Sequence, residues 1–120
     1  MTWQFLAPLQ RILDYSNVLR QSSVAFASPA SSGATQLVAA QTGLRIVVLQ
    51  IAVIASAAQN VRFQSAGTDI SCTFPLAANG GFVLPASQLG WFQTNVGEAL
   101  NVNLSAAALT GITLTWCAAP

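Results

Sequence analysis

The chain has 120 residues, of which 53% are hydrophobic and 6% charged, with four arginines, three acidic residues, two cysteines and no histidine. That length holds one core and not two, and its apolar content outweighs the entropy of ordering, which excludes intrinsic disorder. The arginines, at 11, 20, 45 and 62, form no basic stripe for phosphate, so nucleic acid is not an expected partner, and without histidine no Ser-His or Cys-His nucleophile and no imidazole metal site can exist.

Residues 1–34 read as an arm and linker. It holds the apolar side chains Trp3, Phe5, Leu6, Leu9, Ile12 and Leu13, whose spacing at 5, 6, 9, 12 and 13 fits one helical face, and Pro8 suits a first turn, so a short helix is one reading of the arm. The N-terminus lacks a basic region and a continuous apolar stretch, which argues against a secretory leader and leaves its own methionine as the expected start of the mature chain. Residues 28–34 are small and polar without period, as a linker is.

Residues 35–120 form the β domain. Turn signals recur about every ten residues, at Thr42-Gly43, 57–60, 67–69, 79–81, 88–90, 95–98 and 106–111, and no helix-length pattern interrupts them. Val61 and Phe63 alternate with Arg62 and Gln64, Ile70, Cys72 and Phe74 with Ser71 and Thr73, Leu100, Val102 and Leu104 with Asn101 and Asn103, and Ile112, Leu114 and Trp116 with Thr113 and Thr115. The expected fold is all-β, an antiparallel β-sandwich of jelly-roll-like form behind the arm. Asn79-Gly80-Gly81 tolerates positive φ and predicts a hairpin joining the strands around Phe74 and Val83.

The stretch from Leu44 to Ala55 is apolar on both faces of a strand. At 13 residues, the apolar run 46–58 is too short to cross a membrane as a helix, and its β-branched content favours a buried strand. No membrane partner is expected. One face of such a strand fills the core, and the other needs cover from the arm or from another subunit. Val47, Leu49, Ile51 and Val53, on the odd positions, are the candidate oligomer interface.

Little here points to catalysis, and the chain is not expected to be an enzyme. Asp14 lies in the arm, and Asp69 and Glu98 lie in turns where solvation explains them, so neither a carboxylate pair nor a metal or cofactor site is expected. Cys72 falls on an inward strand phase and Cys117 on an outward one, which places them badly for a disulfide. Trp91 and Phe92 read as packing residues, with an aromatic sugar platform as the competing role.

Three segments, Phe74-Pro75-Leu76-Ala77-Ala78-Asn79-Gly80-Gly81-Phe82-Val83-Leu84-Pro85, Gly90-Trp91-Phe92-Gln93-Thr94 and the stretch from Gly97 to Ala107, carry a family likeness. The region from Leu44 to Trp116 resembles small β-sandwich proteins encoded among the structural genes of tailed bacteriophages. That resemblance implies a jelly-roll-like virion component, foremost a capsid decoration (cement) protein assembled as a homotrimer on the head shell, or else a head or tail fibre module. The implied partners are further copies of the chain and the major capsid protein or another virion protein. The implied location is the virion, put together in the host cytoplasm. The arm residues Trp3, Phe5, Leu6, Leu9, Ile12 and Leu13 are then the expected contact with the capsid or a neighbouring copy. A receptor-binding or sugar-binding tip using Trp91 and Phe92 and a phage lysis protein are the competing classes.

Overall fold

The computed structural model describes residues 11–13 and 19–120. Among the described residues twelve strands run in chain order: β1 (Arg11–Leu13), β2 (Leu19–Gln21), β3 (Ser23–Ala27), β4 (Gly33–Val38), β5 (Arg45–Ala55), β6 (Gln59–Ser65), β7 (Thr68–Asp69), β8 (Phe74–Leu76), β9 (Gly81–Leu84), β10 (Phe92–Gln93), β11 (Leu100–Leu104) and β12 (Thr110–Ala119). No helix occurs among the described residues. Every pairing is antiparallel. Sheet I has the order β3-β12-β5, with β9 and β10 both on the far side of β5; sheet II has the order β4-β11-β6, with β7 and β8 both on the far side of β6. The two sheets pack as a sandwich.

The alternation expected in β6, β11 and β12 holds, and it builds the core between the sheets. Val61, Phe63, Leu100, Val102 and Leu104 of sheet II meet Ile46, Val48, Ile51, Val53, Ile112 and Leu114 of sheet I. Four rings cross the layers in series: Phe92 stacks on Phe63 with centroids 5.0 Å apart, Phe63 meets Phe74 edge-on at 6.3 Å, and Phe74 stacks on Phe82 at 4.4 Å. Phe63 and Phe74 belong to sheet II and Phe82 and Phe92 to sheet I, so this series ties the short strands of one sheet to those of the other.

Four sequence expectations are corrected. First, Ile12 and Leu13 of the expected helical face lie on β1, which pairs with β2 in the register Ile12↔Arg20 and Leu13↔Leu19; Trp3, Phe5, Leu6 and Leu9 lie outside the described residues. Second, the stretch assigned to arm and linker supplies β3, paired with β12 from Trp116↔Ser23 to Ile112↔Ala27, and the start of β4. On β3 the core-facing position opposite Leu114 is the small Ala25, while Val24 and Phe26 point out, so its hydropathy pattern reads inside-out. Third, the turn at Asn79, which has φ 60° and a bond of 2.9 Å from Gly80 N to Ala77 O, reverses the chain without making a hairpin. It carries the chain from β8 on β6 to β9 on β5, and the stack of Phe74 on Phe82 holds the two strands as layers. Fourth, Cys72 is exposed because residues 70–73 leave the ladder, where Ser71 Oγ accepts from Phe63 N at 2.9 Å and donates to Cys72 O. Cys117 is buried, and the two sulfurs are not bonded to each other.

A polar lock closes one end of sheet II. Ser65 Oγ, fully buried, donates to Glu98 Oε1 at 2.6 Å and accepts from Asn95 N at 2.9 Å, and Asn95 Nδ2 adds a bond of 3.1 Å to the same carboxylate oxygen. The Ser65 bond foremost, and then the Asn95 bond, hold the Glu98 carboxyl below its ordinary pKa of 4.5. A carboxylate with a depressed folded pKa contributes stability that is fully present above the unfolded value and is lost as the pH falls through the folded one. Glu98→Gln should therefore flatten the loss of melting temperature below pH 4.5 while leaving the slope above pH 6 unchanged, as followed by circular dichroism.

Candidate interaction face

The two outer faces of the sandwich differ in kind. Across sheet II, register places Gln36, Asn101, Gln64 and Asp69 in one row over β4, β11, β6 and β7. The next positions include Asn103 and Arg62. Gln64 Nε2 donates to Asp69 Oδ1 at 2.8 Å, and Arg62 pairs with Asp69 at 3.4 Å with both side chains well exposed. Such a pair adds little to stability, but it puts charge on this face.

The matching row across sheet I is Phe26, Thr113, Ala52 and Val83, over β3, β12, β5 and β9. Phe26 is 79% exposed, Val83 65%, Val24 59% and Ile54 57%. Antiparallel sandwiches ordinarily show alternation to water on both outer faces, and contiguous apolar exposure of this kind marks a contact surface. Among the described side chains none on this row is charged. Between Phe26 and Ile54 lies a shallow hollow of about 310 Å³ with Gly111, Ala52 and Thr113 in its lining.

A bulge explains how β5 serves both faces. Thr115 pairs with Gln50 and Trp116 with Val48, so β5 carries one extra residue at Leu49. An extra residue shifts the side-chain phase by one. Before it Ile46 and Val48 face the core, and after it Ile51, Val53 and Ala55 do. The four residues expected on one interface are thereby divided. Ile51 and Val53 lie in the sandwich core, whereas Val47 and Leu49 are on the outer side, where they form a small buried cluster with Cys117. Unbroken alternation was assumed, and the bulge breaks it. The outer face of β5 is therefore covered within the chain at its Val47 end and open at its Ile54 end.

Trp91 and Phe92 point apart. Phe92 stacks inside on Phe63, while Trp91 is 45% exposed with its indole N–H given to Pro85 O at 2.6 Å. A two-ring platform is absent at this place. The 87–97 stretch is pinned along β5 by Ser87 N to Leu49 O, Trp91 N to Val48 O and Gly97 N to Leu44 O. Thr94, fully buried, exchanges two bonds of 2.9 Å with the Ile46 backbone, through Oγ1 and through its N–H.

Sequence reading did not single out Phe26, Val24, Ile54 and Val83. A usable signal was present in the unbroken absence of charge from 21 to 44, together with the apolar parity of Val24 and Phe26.

No protein-family model matches the chain, and no curated protein matches it. Among solved structures, a chain of the cyanophage Pam1 capsid asymmetric unit shares the fold, with a TM-score of 0.52, 11% identity, and coverage of 82% of this chain and 85% of that one. CapF in complex with the inhibitor 3-isopropenyl-tropolone aligns with a TM-score of 0.34 and 16% identity over 92% of this chain and 31% of that one. The capsular polysaccharide assembling protein CapF from Staphylococcus aureus, in space group C2221, aligns with a TM-score of 0.27 and 13% identity, over 94% of this chain and 31% of that one. Likeness this low in the two CapF structures carries no argument.

Proposed function

We propose that this chain is a structural protein of a tailed-phage virion, a decoration protein that coats the head shell as an oligomer, with a trimer as the form the sequence resemblance implies. The observation that carries the reading is the one-sidedness of the sandwich: exposed Phe26, Val24, Ile54 and Val83 without a described charge beside them on sheet I, against Gln36, Asn101, Gln64 and an exposed Arg62–Asp69 ion pair on sheet II. A face built for contact and a face built for water suit a subunit that lies in a coat. The shared fold with a cyanophage capsid chain supports it. So does the chain path, which crosses repeatedly between the sheets, from β3 in sheet I to β4 in sheet II, β5 in I, β6 to β8 in II, β9 and β10 in I, β11 in II and β12 in I. No bond is made or broken in this role. Many copies each bury modest apolar area at about 25 cal/mol per Å², and the sum holds a shell.

The test is reconstitution. Heads from particles lacking this chain should take up added protein saturably on co-sedimentation and should then withstand low salt or heat that ruptures the bare heads. Recovery of the chain only in the tail fraction, or saturable binding to host cells in place of heads, would transfer it to the fibre class, which the exposed Leu89 and Trp91 otherwise favour. The major capsid protein is the proposed shell partner, and the arm residues Trp3, Phe5 and Leu6 are its proposed contact. Replacing those three with serine tests the arm apart from the sandwich.

A further inference from the structure

We infer that the open half of the outer face of sheet I docks a second copy of this chain, with Phe26 of one copy entering the hollow between Phe26 and Ile54 of the next. This rests on the same surface as the decoration reading but names its occupant, and it does not require a shell.

Four observations favour a copy over a foreign partner. The projecting ring and the receiving hollow sit side by side on one face: Phe26 stands 79% exposed, and the neighbouring floor is made of Gly111 and Ala52, which leave room for a ring. A face that carries both the knob and the hole is complementary to itself, as an isologous two-fold contact between identical subunits requires, so this contact pairs copies two by two and the trimer implied by resemblance would need a second, different contact. Second, the described charged side chains, Arg45, Arg62, Asp69 and Glu98, all lie off this row, so nothing on it selects a partner of opposite sign and two copies meet without repulsion.

The third observation is area. Phe26, Val24, Ile54 and Val83 together expose on the order of 400 Å² of apolar surface, which is the core of an interface that buries about 800 Å² per partner, with Thr113 inside it and Gln50 and Thr115 beside it. The fourth is the strand beside it. The described order of sheet I ends on β3, and from Gln21 to Leu44 there is no charged residue of the kind that guards an open edge against pairing.

Sedimentation of the full chain reads the inference. The wild type is expected to sediment as an oligomer at micromolar concentration, and Phe26→Lys and Thr113→Lys are each expected to weaken association at least tenfold, giving monomer with an unchanged circular-dichroism spectrum. Thr113 is exposed on the hollow's lining, so its variant keeps the test alive if Phe26→Lys does not fold. Val96→Lys, exposed but off this face, should leave the oligomer intact. A monomeric wild type, a Phe26→Lys chain that folds and associates like wild type, or dissociation by Val96→Lys overturns the inference. Head binding is measured separately: a monomer that still coats heads removes the self-contact alone, whereas an oligomer that ignores heads removes the decoration reading alone.

Discussion

A Phe63→Ala chain is expected to lose about 3–5 kcal/mol of folding stability, enough to leave it largely unfolded at 37 °C if the wild type is a domain of ordinary stability. Phe63 is completely buried in the middle of the ring series, stacked on Phe92 and edge-on to Phe74. Truncation empties the centre of the core, and its neighbours come from both sheets, so neither sheet can close the cavity by itself. The loss reaches the candidate face as well. Phe92 lies on β10 and Phe82 on β9, the two short strands that flank β5, and their rings are what anchors those strands to sheet II. Chemical denaturation should show the lowered midpoint. Phe63→Leu, which keeps most of the volume, should recover more than half of the loss.

Gly81→Ala is expected to cost about 3 kcal/mol and to free β9 from the edge of β5. A methyl group at Gly81 would collide with the carbonyl oxygen of Val53 and come within 2.9 Å of Ile54 Cα. Both obstacles are backbone atoms, so no side-chain rotation relieves them and the strand itself must move. Moving β9 breaks the ladder from Ile51↔Leu84 to Ile54↔Gly81 and carries Val83 away from the apolar row. The control is Gly67→Ala, where nothing lies within 4 Å of the added atom and φ is not positive; it should stay within about 0.5 kcal/mol of wild type. Amide exchange at Val83 and Leu84 should rise in Gly81→Ala and not in Gly67→Ala.

The sandwich was legible wherever inward apolar residues alternate with outward polar ones, as in Leu100, Val102 and Leu104 against Asn101 and Asn103, because burial of one face and solvation of the other write themselves into period two. The places that misread are those where that rule is broken. β3 carries alanine on its core side and Val24 and Phe26 on its outer side, so it passed as part of the arm ahead of the linker at 28–34. β5 looked like a strand greasy on two sides and is one, but the residue added at Leu49 exchanged the sides halfway along, which no single sequence reveals without the register of its partner β12. Ile12 and Leu13 fit a helical spacing and form β-structure, since a pairing with β2 outweighs a period read over five apolar positions. The Asn79 turn was found at its right place, but a turn's chemistry states that the chain reverses and leaves open whether the next strand joins the same sheet.

The most direct measurement is an electron cryomicroscopy map of the virion to which the chain is here proposed to belong. The expected map shows the sandwich on the outside of the head shell in clusters, with Phe26, Ile54 and Val83 of each copy buried against the next. A head without this sandwich contradicts the coat role, and clusters in which that row faces bulk water in every copy contradict the use of sheet I to build them.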